Sequence, residues 1–432
     1  MAKRLTSVLG IDIGSESIKV CEVKSQGREP VVTAMGIIAT PEGAVDHTGI
    51  YNGDAVAAAI KQVLSDSAAT VSSAVVTITG QASVLVRTLE VPKMNPAELK
   101  EHMQWEINRN IPFAESTVVS DFKPLGNDDP NSPNMDVVMA ISPQSSIDTL
   151  IGCIKRSGRS TAAIDVEPLS LARTLQTNYD DIYSNSTVCV VDIGAKTTSI
   201  NMYHGSKLLM PRQVPIGGEM FTKAIADTFA IGVPEAEAMK REKLVIPESV
   251  ASEGGVDGFG TVGSTQEFQP YNPFSDEPLP AFSPDPAVTG PAVTGPTDFG
   301  GPAAFDPMAD DTLAAPVAPV ANLAPAYAPG PGDEVFAAIS PVLEEFVAEI
   351  RRSVDYFRSR GGDLDVVLLC GGGAKIKGLT QYVQRSLGLT CDSYDPLRRL
   401  NVNARKLPPT FTEEHRVEFA VALGNGLHIF YE

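Results

Sequence analysis

The sequence predicts an α/β protein built from two folded blocks. Three observations carry this: strand-like runs alternate with helical stretches, a strand–turn–strand pattern occurs twice, and a proline-dense segment without basic residues separates the blocks. Runs rich in β-branched residues fall at 8–13, 18–23, 74–79, 84–91, 137–141, 188–193, 199–203 and 365–369. Helical patterns lie between them at 144–157, 168–177, 219–229, 341–357, 379–387 and 413–429. One further helix has a capped start: Asn95 at the N-cap, Pro96 first and Glu98 third precede Leu99, Met103 and Ile107 at helical spacing.

The separating segment is 247–332. No Lys or Arg occurs from Leu244 to Ile350, and 247–332 holds 16 of the 33 prolines and 11 of the 53 acidic residues. With a tandem Pro-Ala-Val-Thr-Gly at 286–295 and no sustained period, it is expected to be a disordered acidic insertion, because it buries too little apolar surface to offset its ordering entropy. The Gly258-x-Gly260-x-x-Gly263 match inside it has no strand before it and no helix after it. It is read as coincidence.

At 432 residues and 43% hydrophobic content the chain can hold more than one domain. Its 34 basic and 53 acidic residues give a net charge of −19, which argues against a broad basic surface for nucleic acid. Five cysteines without a Cys-x-x-Cys pair speak against a disulfide framework or a structural zinc site. Asp12 interrupts the apolar stretch after Lys3 and Arg4, and no later apolar run approaches ~18 residues, so no signal peptide or membrane span is expected. The chain reads as cytosolic and reduced.

Three glycine-bearing turns concentrate the chemistry. Leu9-Gly10-Ile11-Asp12-Ile13-Gly14-Ser15 is a buried strand entering a tight polar turn, and Val190-Val191-Asp192-Ile193-Gly194-Ala195-Lys196 repeats the plan. Glycine lets such a turn bring backbone N–H groups close to a phosphate, and an Asp at the strand end can hold a hydrated Mg²⁺. Either copy alone is an ordinary hairpin. The third turn, Cys370-Gly371-Gly372-Gly373-Ala374-Lys375, joins a strand to a helix and can present flat backbone to a base and sugar. No P-loop pattern is present.

Two Asp-Ile-Gly hairpins followed by Gly-Gly-Gly-Ala resemble the actin-like ATPase superfamily. The resemblance implies the actin-like (ribonuclease H-like) two-lobed ATPase fold, with a small inserted α/β subdomain. Lobe I would comprise 1–83, 164–186 and 411–432; the insertion, 84–163; lobe II, 187–246 and 333–410. Several segments are similar to the PilM family of the type IV pilus machine: 84–94 with Pro92, then Glu98-Leu99, Trp105-Glu106, Asn110 to Phe113, Asp165 to Pro168, Arg212 to Thr222, Ala236 to Lys240 and Ala422 to Leu427.

That resemblance implies sites residue by residue. Asp12, Gly14, Ser15 and Lys19 would meet the phosphates of ATP from one lobe, and Asp192, Gly194, Lys196, Thr197 and Thr198 from the other. Asp12 and Asp192 would hold Mg²⁺ through water. Gly217 and Gly218 would lie beside the nucleotide. Glu237 and Lys240 would meet ribose and base, opposite Gly371, Gly372, Gly373, Ala374 and Ile376. Glu167 stands where filament-forming relatives keep a carboxylate that orients the attacking water; read by itself, Glu167-Pro168 is a helix start. Trp105 is read as a packing residue on its helix face.

The implied role is docking in pilus assembly and twitching motility. The insertion would hold the cytoplasmic N-terminal tail of the membrane protein PilN, at the inner-membrane periphery, and link the platform to the motor ATPases. Hydrolysis and self-association stay open. The rival readings are an FtsA-like cell-division protein, which would need a terminal amphipathic anchor after Leu427 to Glu432, and a sugar or metabolite kinase, whose catalytic Asp and sugar loop are not found. A third is a scaffold that no longer binds nucleotide.

Overall fold

The computed structural model describes residues 5–113, 117–126, 132–248 and 333–431; the proline-dense segment from 249 onward, with its glycine pattern and tandem repeat, lies outside the described residues. The chain opens with β1 (Ser7–Ile13), β2 (Ser17–Gln26), β3 (Glu29–Ala39), α1 (Gly53–Asp66) and β4 (Ser73–Ile78). It continues through β5 (Leu85–Pro92), α2 (Pro96–Arg109), β6 (Val118–Pro124), β7 (Asn134–Pro143) and α3 (Gln144–Arg156). Strand β8 (Ser160–Val166) runs directly into α4 (Glu167–Tyr183). Then come β9 (Thr187–Ile193), β10 (Thr198–His204), β11 (Lys207–Val214), α5 (Gly218–Phe229) and α6 (Val233–Lys243). The last described stretch holds α7 (Asp333–Ser359), β12 (Val366–Cys370), α8 (Leu379–Leu387), β13 (Thr390–Ser393), β14 (Asn401–Val402), α9 (Phe411–His415) and α10 (Ala420–Gly426).

Two large sheets repeat one plan. The first runs β14-β3-β2-β1-β4-β8 and the second β11-β10-β9-β12-β13. In each, a three-strand antiparallel meander is extended on one side by two parallel strands, and the first sheet also carries β14, parallel to β3, on its other edge. The Asp12 and Asp192 hairpins therefore occupy equivalent places. Strands β1 and β9 are buried on both faces, as expected for central strands covered by helices, which is why they read as continuous apolar runs.

The third sheet, β5-β7-β6, comes between β4 and β8 in the chain. Its strands alternate side-chain direction. On β7, Val137, Met139 and Ile141 form a small core with Leu99, Met103 and Ile107 of α2. Val138 points the other way, into a core with Leu171 of α4 and Val188, Val190 and Tyr203 of the second large sheet. Ala140 packs instead on the core of the first large sheet. The capping box of α2 forms as expected, with the Asn95 side chain accepting from Glu98 N and Glu98 reaching back to Asn95 N. Trp105 departs from expectation: it is 56% exposed, with the Arg109 guanidinium 5.4 Å from its ring centroid, because Leu99, Met103 and Ile107 already fill the buried stripe.

The helix expected over 413–429 is broken. A 3₁₀ turn at Arg416–Glu418 separates α9 from α10, and this leaves the Val417 carbonyl to accept from Gly371 N at 2.8 Å. Helix α10 sits unusually close to its neighbours: a Cβ on Gly10 would lie 2.0 Å from Ala422 O, and one on Gly424 2.0 Å from Ser170 O. Between these approaches Asn425 is fully buried. Its Nδ2 donates to Ile11 O at 2.9 Å and to Thr77 Oγ1 at 2.7 Å, and its Oδ1 accepts from Ser170 Oγ at 2.6 Å. Asn425→Ala would strand these partners without water, at about 1–3 kcal/mol for each group left unpaired. The expected outcome is a fall of several degrees in the thermal midpoint, read by calorimetry; a shift within error would show that these bonds contribute nothing.

Candidate functional site

The two hairpins have the same geometry. Gly14 N donates to Ser17 O at 3.1 Å, and Gly194 N to Thr197 O at 3.0 Å. At both glycines an added Cβ would come within 2.9 Å of the accepting carbonyl, so these turns close this tightly only without a side chain. Lys19 leaves β2 and reaches Asp12 Oδ2 at 3.1 Å. Burial alone would lower the Lys19 ammonium, but Asp12, by attraction and direct bonding, and the carboxylates of Asp192 and Glu418 raise it.

Asp192 and Glu167 face this pair. Burial, with repulsion from Asp12, pushes the Asp192 carboxyl up to about 6 despite attraction from Lys19. Burial, then Asp192 and Asp12, pushes Glu167 up to about 8. Ser199 Oγ donates to Glu167 Oε2 at 2.9 Å, whereas Glu167 Oε1 is sealed from solvent with no hydrogen-bond partner. Asn201, two residues along β10, partly offsets the rise in Glu167, yet its buried Nδ2 has no bond of its own. The carboxyl groups of Asp12, Asp192 and Glu167 thus crowd one another beside a single ammonium. Such a site is short of positive charge, and it keeps one acceptor and one donor unused.

The remaining expected residues surround this centre. Gly217 and Gly218 lead into α5; Gly218 N donates to Gly194 O at 2.9 Å, and a Cβ on Gly217 would strike Ala195 O at 2.5 Å. Glu237 and Lys240 of α6 bond each other at 2.7 Å, and both engage Thr222 of α5. Burial opposes the charged form of Glu237, but the Lys240 and Thr222 bonds outweigh it and carry its carboxyl down to about 2. Lys240 also donates to Gly218 O at 3.0 Å. Gly371, at φ +83°, would place a Cβ 2.3 Å from Asp192 Oδ1, so this turn can approach the carboxylate only as glycine. Gly373 lies against Ile193, Gly372 faces Glu418, and Ala374 and Ile376 pack on the core of the second large sheet.

Some expected residues are committed elsewhere. The buried Thr198 hydroxyl donates to Ile216 O at 2.7 Å, and Lys196 pairs with Glu219 at 3.8 Å. Ser15 and Thr197 stay half-buried in their turns. Among the described residues no group of three or more His, Cys, Asp or Glu could by itself hold a metal ion, so a cation here would take its remaining ligands from phosphate and water. Sequence reasoning missed Ser199, Asn201 and Glu418. The available signal was Ser199 and Asn201 at i and i+2 on β10, interleaved with the buried Ile200 and Met202.

A second feature lies behind the first. A cavity of about 230 Å³ is bounded by Ile13, Thr77 and Thr79 on the first large sheet, by the 45–51 loop, and by Ser145, Ser146, Thr149 and Leu150 of α3. Ile13 follows Asp12 on β1 and points to the opposite face of the sheet. The cavity and the carboxylate centre therefore lie back to back on one strand.

A family model described as type IV pilus assembly protein PilM matches residues 10–253, and one described as cell division protein FtsA matches 189–424. FtsA of Neisseria meningitidis serogroup B (strain ATCC BAA-335 / MC58) is 24% identical over 258 residues, 55% of this chain and 61% of that protein. FtsA of Bacillus subtilis (strain 168) is 29% identical over 118 residues, 27% of this chain and 26% of that one. The chain thus spans 61% and 26% of the lengths of these curated relatives. A solved structure described as a PilM-PilN type IV pilus biogenesis complex superposes with a TM-score of 0.72 at 24% identity, covering 99% of both chains. The fold is the two-lobed actin-like one. No helix among the described residues is long and apolar enough to cross a membrane.

Proposed function

The chain belongs to the PilM family of type IV pilus assembly proteins, and from that premise we propose that it is a nucleotide-dependent docking protein that binds Mg²⁺-ATP between its lobes and holds the N-terminal tail of PilN. The observation that carries the nucleotide half is the pair of hairpins closed by the same bond, whose Asp12 and Asp192 meet Glu167 of α4 around the single Lys19. Asp12 and Asp192 would hold Mg²⁺ through water, and the ion would supply the charge that neutralises the phosphates. Backbone N–H groups of Ser15 and Thr197 would face the phosphates from either side, with Lys19 between them, while Gly14 and Gly194, whose own N–H groups close the turns, would let the phosphates approach without a side chain in the way. Gly217 and Gly218 would border the nucleotide, Glu237 and Lys240 would meet ribose and base, and Gly371 to Ala374 with Ile376 would flank the base. Glu167, oriented by Ser199, would hold a water at its unpaired Oε1.

The docking half rests on the 230 Å³ cavity between α3 and the first large sheet, together with the PilM-PilN assembly of the structural relative. A tail seated there would bring a protein whose described helices cannot cross a bilayer to the inner-membrane periphery, and would place it between the platform and the motor ATPases. Removing 84–163 outright would also strip Val138 from the main core, so a point change is the cleaner test. Thr149→Trp fills the cavity. It is expected to weaken binding of a synthetic PilN tail at least tenfold by calorimetry, about 1.4 kcal/mol, with Mg²⁺-ATP affinity unchanged. In cells, the chain should leave the inner-membrane fraction when PilN is deleted. Sedimentation that persists without PilN would overturn the docking reading in favour of direct lipid contact.

A further inference from the structure

The sheet β5-β7-β6 is anchored to both halves of the molecule, and each anchor has a different character. Toward the first large sheet it is tied through α3, which packs on α1; Arg156 Nε meets Asp54 at 2.8 Å, and Leu150 and Ile154 join the core beneath Ile13. Toward the second large sheet the edge strand β5 abuts β11. Thr88 Oγ1 donates to Leu209 O at 2.8 Å, Lys207 Nζ pairs with Asp136 Oδ2 at 2.7 Å, and Val138 is buried between them and α4. The alternation on β7 makes this double attachment unavoidable, because Val138 and Ala140 share one face yet enter different cores.

We infer that this double anchorage makes the sheet the mechanical link through which nucleotide in the cleft sets the tail affinity of the cavity behind β1. The inference rests on the two-site reading given above. Packed cores resist gradual deformation, so a rotation of one lobe against the other must slide one of the two anchors. The β5–β11 anchor combines a buried side chain, a hydrogen bond and an ion pair whose lysine is only 11% exposed. If it holds, the sheet travels with the second lobe, and α3 shifts against Ile13, Thr77 and Thr79. The cavity wall provided by Ser146 and Thr149 moves with α3. Coupling of this kind is reciprocal: the tail must change nucleotide affinity by the same factor.

The test uses the full chain, Mg²⁺-ATP and a synthetic peptide of the PilN tail. Each ligand is titrated by calorimetry with and without the other, in the parent and in Thr88→Val and Lys207→Met, the second removing the charge while keeping the alkyl stem that fills the site. The parent is expected to show about fivefold or greater reciprocal coupling. The variants should keep each affinity measured alone while coupling falls to within twofold of none. A fluorophore on Ser146→Cys gives a second readout: it should respond to Mg²⁺-ATP in the parent and not in the variants. Equal coupling in parent and variants, or a parent without coupling or fluorescence response, overturns the inference. Loss of tail binding or of nucleotide binding in the unlabelled parent would instead overturn the two-site reading itself.

Discussion

Asp192→Asn is expected to weaken Mg²⁺-ATP binding by about 10–100-fold while raising the thermal midpoint of the nucleotide-free protein. The two effects have one cause. The Asp192 carboxyl is held in a desolvated position against Asp12, which lifts it to about 6, so at neutral pH the folded chain carries a charge that its surroundings disfavour. A neutral amide of the same shape removes that cost but also removes the charge that would face the metal through water, and losing such an outer-shell partner costs about 10–100-fold in metal affinity. Asp12→Asn should differ in the first respect. Asp12 balances Lys19 at 3.1 Å, so its loss strands a buried ammonium and lowers the midpoint as well as the affinity. Calorimetric titration and thermal melts of both variants check this; unchanged affinity in both would remove the carboxylates from the site.

Glu167→Gln should turn a pH-dependent stability into a flatter one. The Glu167 carboxyl is raised from 4.5 to about 8, first by burial and then by Asp192 and Asp12, so between these values the folded chain binds a proton that the unfolded chain has released. Stability from this group is complete below about pH 4.5 and is lost as pH climbs through 8. At ~1.4 kcal/mol per pH unit the full effect is a few kcal/mol, shared with the coupled Asp192. The midpoint gap between Glu167→Gln and the parent is therefore expected to be small at pH 5, to widen up to about pH 8 and to level off above it. A gap that stays constant, or one that shrinks as pH rises, would mean that Glu167 is ionised in the fold.

Most of the site was legible because its chemistry is local. A buried strand, an Asp and a glycine turn fall within seven residues at Leu9 to Ser15 and again at Val190 to Lys196, and the third turn is contiguous at Gly371 to Ala374. What escaped depended on distant partners. Ser199 and Asn201 look like incidental polar residues in a strand until Glu167, 32 positions earlier for Ser199, is folded against them. Trp105 looked like core because apolar bulk usually is, but the register of α2 was already used by Leu99, Met103 and Ile107. Helix α1 went unread because its buried residues are mostly small alanines and valines, and strands β3, β6, β8 and β11 because their apolar residues are too mixed to show a clean period. The break between α9 and α10 frees the Val417 carbonyl for Gly371, a partner more than forty positions away that the local pattern does not show.

The Asn425 staple also orders events during synthesis. Its bond to Ile11 spans 414 positions, the greatest separation among the hydrogen bonds described above, so the strand that carries Asp12 emerges early yet waits for nearly the whole chain before its carbonyl is matched. At roughly 5–20 residues per second that wait is tens of seconds. The sheet β5-β7-β6 needs only residues 85–143 to close its hydrogen bonds and its small core with α2. A nascent chain would thus possess a pairable partner module well before it possesses a finished cleft, and the inner face of that module, Val138 included, stays uncovered until Val188, Val190 and Tyr203 arrive. That interval is when the protein is most exposed to association with its own copies.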